Sequence, residues 1–279
     1  MTMKSESEIR ALLNLLDDSN SEIYNSVKVE LLNCGSEIIE FIDEYSKTAT
    51  FKDRYDEIEA ELRFSKIIEF LNINDFSKIE TLEEFCFLLP EIEYSDIDRN
   101  YYADKLNLIS IEIKDRIATT ADPFEKLKRI IDYIFKELKY SGNTENYYEL
   151  DNNFISSVVD RKKGNPITLS LLFIFICNRL NVPIKGIGLP GHFITLFNFE
   201  KMEIYIDPFN FGNLLNLEEC KQIVQKNGYA YSDEIMMPIS NKKIIERIFR
   251  NLTYYFEKIE NKNKSQLCLR CIDIIREIE

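Results

Sequence analysis

The feature that most constrains the fold is a stretch from Ile167 to Leu180 that is apolar nearly all round. A helix that is apolar on every face lies inside a core, because any exposed side would leave apolar surface in water. Gly164, Asn165 and Pro166 precede the stretch, and Asn followed by Pro is typical of a helix start, with Asn as the N-cap and Pro in the first turn. The sequence therefore predicts a central buried helix.

After this helix the pattern changes to short apolar runs separated by Gly and Pro. These runs predict antiparallel strands at Ile184–Leu189, His192–Phe199 and Glu203–Ile206. Elsewhere the apolar spacing is helical, and helices are expected at 52–72, 97–118, 123–138, 152–160, 216–227, 241–259 and 264–278. We therefore predict an α+β protein, mostly helical, with a small antiparallel sheet packed on the central helix.

The chain is acidic, since 35 Lys and Arg face 48 Asp and Glu for a formal net charge of −13. A nucleic-acid binder needs a basic surface to displace counterions from phosphates, so we expect no nucleic-acid partner. The charge also disfavours docking on anionic membranes. The most apolar run, Leu169–Cys177, is too short to span a bilayer, and no signal peptide is recognisable at the N-terminus. We expect a cytoplasmic protein without a membrane partner.

The sequence has six Cys and a single His. One His excludes any site or reaction that needs two. Five of the Cys lie in scattered apolar helical runs, which predicts reduced, buried thiols rather than a disulfide framework. Cys268 and Cys271 have CxxC spacing, but they lie inside a predicted helix, whereas a redox pair normally precedes one. We expect no cofactor and no metal.

Three regions are expected along the chain. Residues 1–50 form a helical segment, in which two short helices around a Leu-Leu-Asp-Asp sequence resemble a HEAT-type repeat. Residues 51–230 contain the central helix and the sheet, with a helical N-terminal part. Residues 231–279 form a helical hairpin of tetratricopeptide-repeat type. A plain pair of packed helices is an equally good interpretation of both terminal regions.

His192 begins one predicted strand, and Asp207 ends the next. On neighbouring strands these side chains are expected to form a hydrogen bond of about 2.6–3.2 Å, through which the Asp fixes the tautomer of the imidazole. A nucleophile at the N-terminus of the preceding helix would complete a papain-like triad. The alternative is a purely structural hydrogen bond.

Three motifs carry a resemblance to a known family. Arg161–Leu172 reads RKKGNPITLSLL, Arg179–Phe193 reads RLNVPIKGIGLPGHF, and Ile206–Asn210 reads IDPFN. Together they resemble the SirB-like branch of the transglutaminase-like superfamily, most densely over residues 151–215. The resemblance implies a cysteine-proteinase-like core in which His192 and Asp207 fall at the positions of the family His and Asp.

The sequence departs from this family at the nucleophile. Catalytic members carry Gly-x-Cys at the start of the central helix, and Pro166 falls where that Cys is expected. Pro has no nucleophilic side chain and no backbone N–H, and the loss of one oxyanion donor alone costs roughly 2.7–4 kcal/mol of transition-state stabilisation. Thr168 and Ser170 carry the nearest hydroxyl groups, whereas Cys177 lies roughly 16 Å along the helix. Thr168 is therefore the alternative nucleophile.

Two functions follow from these observations. The one we favour is a non-catalytic protein-interaction or regulatory module that keeps His192 and Asp207 for structure or ligand binding. The alternative is a hydrolase or acyl transferase that uses His192 and Asp207 with an atypical nucleophile such as Thr168. The negative charge makes another protein the expected partner, and a basic protein would complement this charge. Phe209 and Phe211, beside the predicted site, are expected either to contact this partner or to pack in the core.

Overall fold

The structure is a computed structural model that describes residues 4–200 and 202–277. The α-helices in this part of the chain are α1 (Glu6–Leu15), α2 (Ser21–Leu32), α3 (Ile39–Ser46), α4 (Lys52–Ile73), α5 (Ile79–Leu88), α6 (Arg99–Ile117), α7 (Pro123–Ile131), α8 (Ile155–Arg161), α9 (Pro166–Arg179), α10 (Leu217–Lys226), α11 (Asn241–Lys258) and α12 (Lys262–Glu277). A π-helical segment, Asp132–Glu137, continues α7. Most of these helices coincide with predicted ones. The sequence pattern gave no prediction for α5, which fills a gap between two predicted helices.

Six strands form two sheets in the described residues. The two-residue strands β1 (Ser141–Gly142) and β2 (Lys163–Gly164) pair in parallel just before α9. The larger sheet is antiparallel throughout, with its strands in chain order: β3 (Ile184–Ile187), β4 (Ile194–Phe199), β5 (Met202–Asp207) and β6 (Asn213–Leu215). The predicted α+β class and its antiparallel sheet are confirmed. The sequence did not predict β6, because three residues are too short to display a strand period.

The central helix α9 organises the main core. All its residues from Pro166 to Cys177 are buried, as the all-round apolar pattern predicts. On the side of the helix that faces the sheet, Phe193 and Phe197 belong to the same apolar cluster. Helices α6 and α8 also pack on α9. Burial of such large side chains contributes roughly 1.5–3 kcal/mol each to stability. The helix is thus a fixed support for the residues at its N-terminus.

Two smaller apolar clusters complete the described fold. One joins α1, α2 and α3 to the first half of α4, while the second half of α4 belongs to the main core. The other packs α10 on the opposite face of the sheet, where Leu196 and Cys220 are buried. The antiparallel pair α11 and α12 packs on α4. The predicted region boundaries near residues 50 and 230 remain predictions. Among the described residues, no helix is long and apolar enough to cross a membrane.

Candidate functional site

His192 lies in a tight turn two residues before β4, rather than in the strand as the sequence predicted. Its backbone N–H donates to the carbonyl oxygen of Leu189 at 3.1 Å, and Gly191 supplies the positive φ of 70° that the turn requires. Asp207 is the last residue of β5, as expected. The imidazole Nε2 lies 2.9 Å from Asp207 Oδ2, so the predicted hydrogen bond is present. Nδ1 is then the ring nitrogen left for another partner.

Asp207 is almost completely buried, at 1% exposure, yet its hydrogen-bond partners favour the ionised form. The backbone N–H groups of Phe209 and Asn210 donate to Oδ1, and the Asn210 amide donates to Oδ2 at 2.7 Å. Burial alone would raise the pKa of this carboxyl, but the hydrogen bonds and charge of His192 and the donors of Asn210 outweigh burial and hold the pKa below its ordinary value. The carboxylate therefore fixes the orientation of the ring.

Phe209 and Phe211 have different environments. The Phe209 ring packs edge-on against His192, with 5.9 Å between centroids, and against Tyr147 at 5.8 Å. A Cβ on Gly142 would lie only 2.5 Å from the Phe209 ring, so glycine is required for this close approach. Phe211 is 58% exposed and has a φ of 58°. Phe209 thus supports the His192 ring, whereas Phe211 is free to contact another molecule.

Pro166 begins α9 and lines the same cavity as His192. Its nitrogen carries no proton, and the next two N–H groups of the helix are already bonded, because Asn165 Oδ1 accepts from Ile167 N at 2.9 Å and from Thr168 N at 3.0 Å. The Asn165 amide in turn donates to Asn153 Oδ1 at 2.9 Å. The first turn of the helix therefore offers no free N–H to an oxyanion in the cavity.

The two candidate hydroxyl groups point into the protein. Thr168 is buried, and its Oγ1 donates to the carbonyl oxygen of Asn152 at 2.7 Å and accepts from Asn165 N at 3.2 Å. Thr168 is not among the residues that line the cavity. Ser170 lies two residues further along α9 and is fully buried, with its Oγ 3.5 Å from the carbonyl oxygen of Phe193. Neither hydroxyl hydrogen-bonds to His192.

The thiols of the described chain lie in other places. Cys34 is half-buried, and the other five are buried. Burial raises the pKa of Cys177 well above its ordinary value and raises that of Cys271 to about 12, so these thiols remain protonated and unreactive. In the residues that the structure covers, no group of three or more His, Cys, Asp or Glu side chains is arranged to hold a metal ion.

A cavity of about 970 Å³ opens in front of His192, between the start of α9, the His192 turn and α11. Its lining is mainly aromatic, amide and cationic, with four small or apolar residues at the start of α9 and in the His192 turn: Tyr147, Tyr148, Asn153, Asn165, Pro166, Ile167, Pro190, Gly191, His192, Asn227, Tyr229, Arg247, Arg250, Asn251, Tyr254 and Tyr255. The sequence predicts Pro166 and His192 at this site but not the wall formed by α11. The only signal in the sequence is the Tyr-Tyr dipeptide, which occurs at Tyr147-Tyr148 and Tyr254-Tyr255 in the lining but also at Tyr101-Tyr102 outside it.

Arg247 is the cation nearest to His192 in this lining. Its Nη2 donates to the backbone carbonyl oxygens of Leu189 and His192, both at 2.8 Å, and its guanidinium carbon lies 5.7 Å from the centre of the Phe193 ring. Burial lowers the pKa of Arg247, and the positive charge of Arg250 lowers it further. Arg247 therefore joins the C-terminal helix pair to the turn that carries His192.

Comparisons with known proteins agree with this geometry. Residues 100–250, more than half of the chain, match a family model described as the transglutaminase-like superfamily. A UPF0162 protein of Xylella fastidiosa (strain 9a5c) is 30% identical over 196 residues, which cover 68% of this chain and 69% of the relative. A UPF0162 protein of Vibrio cholerae is 29% identical over 72% of this chain and 74% of its own. Human F-box only protein 21 is 31% identical over 43% of this chain and 20% of its own. No solved structure matches.

Proposed function

Because the chain belongs to the transglutaminase-like superfamily, we propose that it is a non-catalytic member that acts as a protein-interaction module through the cavity beside His192. The observation that carries the proposal is Pro166 at the first position of α9. The family resemblance assigns this position to the nucleophilic Cys, and a Pro side chain cannot attack a carbonyl group. Fold alone does not imply activity, so the proposal depends on this site rather than on the family.

The environment of the helix start supports the same conclusion. A catalytic site of this type stabilises an oxyanion with N–H groups near the nucleophile. Pro166 has no N–H, and Asn165 accepts the protons of Ile167 N and Thr168 N. Two requirements of acyl transfer, the nucleophile and the oxyanion donors, are therefore missing together. The buried thiols cannot replace them, because their sulfur atoms lie in apolar cores.

The His192–Asp207 pair retains a binding role in this proposal. The pair holds one edge of the imidazole against Asp207 and leaves the other edge for a ligand in the cavity. Four tyrosines of the lining, Tyr147, Tyr148, Tyr229 and Tyr254, are more than a third exposed. Exposed tyrosines provide large amphipathic contact areas at low entropic cost and are common in protein recognition sites.

The same hydrogen-bonded pair is the observation that favours the second candidate, a hydrolase or acyl transferase. In that case His192 would act as the base and Thr168 would be the atypical nucleophile. The contacts of Thr168 speak against this role, because its hydroxyl proton is donated to Asn152 rather than to His192. An enzyme of this kind would need α9 to rearrange at its N-terminus.

Three finer features belong to the proposal. We place the chain in the SirB-like branch on the residues of its motifs, and we interpret α11 and α12 as a tetratricopeptide-like hairpin that supports protein contacts. We also propose a cytoplasmic location, for which the buried free cysteines are the support. The partner is a protein rather than a nucleic acid or a membrane.

An activity test addresses the non-catalytic part. The purified protein and its His192→Ala variant are compared for amine incorporation into glutamine-containing proteins and for hydrolysis of peptide, ester and thioester substrates. We expect equal rates for both proteins, no higher than the background rate measured in buffer without protein. Turnover that depends on His192, or labelling of Thr168 by an acyl or phosphonate probe that is lost in the variant, would support the enzyme instead.

A binding test addresses the interaction part. Tagged wild-type protein and two tagged variants are each used to capture partners from a lysate of the cells that produce the protein. The variants are Tyr148→Ala at the cavity and Tyr101→Ala on α6. These tyrosines are matched in exposure, at 55% and 50%, but only Tyr148 lines the cavity. We expect the same partner with wild type and Tyr101→Ala, and its loss with Tyr148→Ala. Equal capture by the three proteins would contradict binding through the cavity.

A further inference from the structure

We propose that the cavity beside His192 binds an acidic peptide segment of a protein partner, with Arg247 as the counter-ion for its carboxylate. This inference rests on the proposed function, because it names the ligand of the same cavity. The first support is local charge. Asp and Glu make up 48 of the 279 residues, yet no acidic residue lines the cavity, whereas Arg247 and Arg250 do. The cavity is therefore cationic within an acidic protein.

The second support is the environment of Arg247. In the described chain its guanidinium makes hydrogen bonds only through Nη2, to two backbone carbonyl oxygens, and no carboxylate pairs with it. Its Nε and Nη1 have no acceptor among the described residues. A half-buried cation without a counter-ion is unfavourable, and a carboxylate placed against it forms one of the stronger hydrogen bonds in proteins.

The charged and titratable groups around this cation are few. Tyr147 and Arg250 are the groups that act electrostatically on Arg247. Arg250 is itself paired with Glu246 on the outer side of α11, at 2.7 Å, so its charge is partly compensated. Asp207 lies behind the imidazole of His192 and does not line the cavity. The uncompensated positive charge in the cavity thus belongs to Arg247.

The third support is the rim, which fits a peptide better than a small free acid. Tyr148 packs against Tyr147 and Tyr254, with ring centroids 5.0 Å and 5.2 Å apart, so the tyrosines form a continuous aromatic edge. The exposed Asn251 adds an amide that can pair with a peptide backbone. The volume, about 970 Å³, is at the upper end of the range for small-molecule sites, which leaves room for several residues of an extended chain.

The test uses fluorescent heptapeptide pools that differ only in a fixed central residue, Glu, Gln or Lys, with uncharged residues elsewhere. Binding to the full chain is followed by anisotropy at physiological salt, where long-range attraction is screened beyond about 8 Å. We expect the Glu pool to bind at least about tenfold more tightly than the Gln pool, because the paired charges are partly desolvated. The net charge of −13 alone would favour the Lys pool, so this order is diagnostic.

Variants locate the effect on the protein. Arg247→Gln is expected to lower the affinity for the Glu pool about tenfold and to leave the Gln pool unchanged. Arg270→Gln, which removes one exposed charge on α12 outside the cavity, is the matched control and is expected to change neither. Should Arg247→Gln fail to fold, Arg250→Gln is expected to weaken the Glu pool about threefold through the loss of one nearby charge.

Other outcomes would overturn the inference. Equal affinities for the Glu and Gln pools, a preference for Lys, or no binding of any pool up to about 1 mM would each contradict an acidic peptide ligand. Competition by free glutarate at the same concentration as the peptide would show that the rim adds nothing, and would contradict the peptide as the source of the carboxylate. None of these results affects the non-catalytic assignment, which the separate tests of His192-dependent turnover and Thr168 labelling address.

Discussion

The guanidinium of Arg247 on α11 donates a hydrogen bond of 2.8 Å to the backbone carbonyl oxygen of His192. The same nitrogen, Nη2, donates to Leu189, so one side chain holds both ends of the turn that carries the imidazole. The C-terminal helix pair therefore does more than cover the core, because it sets the backbone from which His192 projects.

The first prediction concerns this bridge. Arg247→Met is expected to lower the free energy of unfolding by about 1–3 kcal/mol, because the partly buried carbonyl oxygen of His192 loses its donor and that of Leu189 keeps only the His192 N–H. Arg250→Met is the control on the same helix. Arg250 is exposed, and Glu246 keeps a second partner in Arg276, so loss of the Arg250 ion pair is expected to cost less than about 1 kcal/mol. Urea unfolding followed by circular dichroism measures both, and equal costs would contradict the bridging role.

The second prediction concerns the pH dependence of Asp207. A carboxyl whose pKa is lower in the folded than in the unfolded protein contributes stability above its unfolded pKa, and this contribution is lost as the pH falls through the folded pKa. Wild type is expected to be more stable than Asp207→Asn at neutral pH, and the difference is expected to shrink below about pH 4, where the unfolded carboxyl protonates. Urea titrations at a series of pH values measure it. A difference that stays constant down to pH values near 3 would refute the lowered pKa of this group.

The third prediction concerns the contact between Gly142 and Phe209. Gly142→Ala is expected to destabilise the protein by about 1–3 kcal/mol, because the new Cβ would overlap the Phe209 ring. Phe209→Leu removes ring atoms at the contact, so the double variant is expected to be more stable than the sum of the two single effects predicts. A double-mutant cycle from denaturant unfolding gives the coupling. Strict additivity would show that the ring does not occupy this position.

The fourth prediction concerns the thiols. In the native protein a water-soluble disulfide reagent is expected to modify Cys34 alone, since the other five cysteines are buried and burial raises the pKa of each thiol. All six are expected to react in denaturant. Cys34→Ser serves as the control and is expected to show no fast reaction. Rapid native labelling of a second cysteine would reveal a reactive thiol that the buried positions do not explain.

The fifth prediction concerns Phe211, whose left-handed backbone is unusual for a large side chain. Asn tolerates this conformation better, so Phe211→Asn is expected to leave stability unchanged or to raise it by up to about 1 kcal/mol. If Phe211 is retained for contact with a partner, the same substitution is expected to weaken partner capture. Thermal unfolding and the capture experiment, made on the same preparation, separate the two effects. A clear loss of stability would mean that the ring has a packing role.

The parts of the fold that the sequence predicts are those determined by neighbouring residues. Asn165 and Pro166 specify the start of α9 through capping and a fixed φ, and the apolar residues after them specify its burial. The sequence predicts the position of His192 less accurately. Pro190 and Gly191 form a turn before the strand, so that the strand begins at Ile194 rather than at His192.

The part of the site that the sequence does not predict is the wall formed by α11, which tertiary packing brings to the cavity. Arg247 approaches His192 although 55 residues separate them in the chain, and no local pattern in α11 indicates that its cavity side carries tyrosines and a cation. The amphipathic pattern of that helix predicts that one face is buried, but not which element covers it. The predicted strands and the family resemblance both indicate His192 and Asp207, but neither carries information on residues contributed by a flanking helix.

The double role of α11 makes cavity occupancy and hairpin docking thermodynamically linked. Helix α11 forms one wall of the cavity and one half of the α11–α12 pair. A ligand that contacts Arg247 therefore binds only the state in which this helix pair is packed on the rest of the protein. By mass action such a ligand shifts the equilibrium between the packed and the detached helix pair toward the packed state. It therefore slows hydrogen exchange in α12, a helix that it does not touch. Reciprocally, if the ligand changes the affinity of α12 for a second protein by some factor, that protein changes the affinity of the cavity for the ligand by the same factor. The hairpin would then act as a transducer between two binding events.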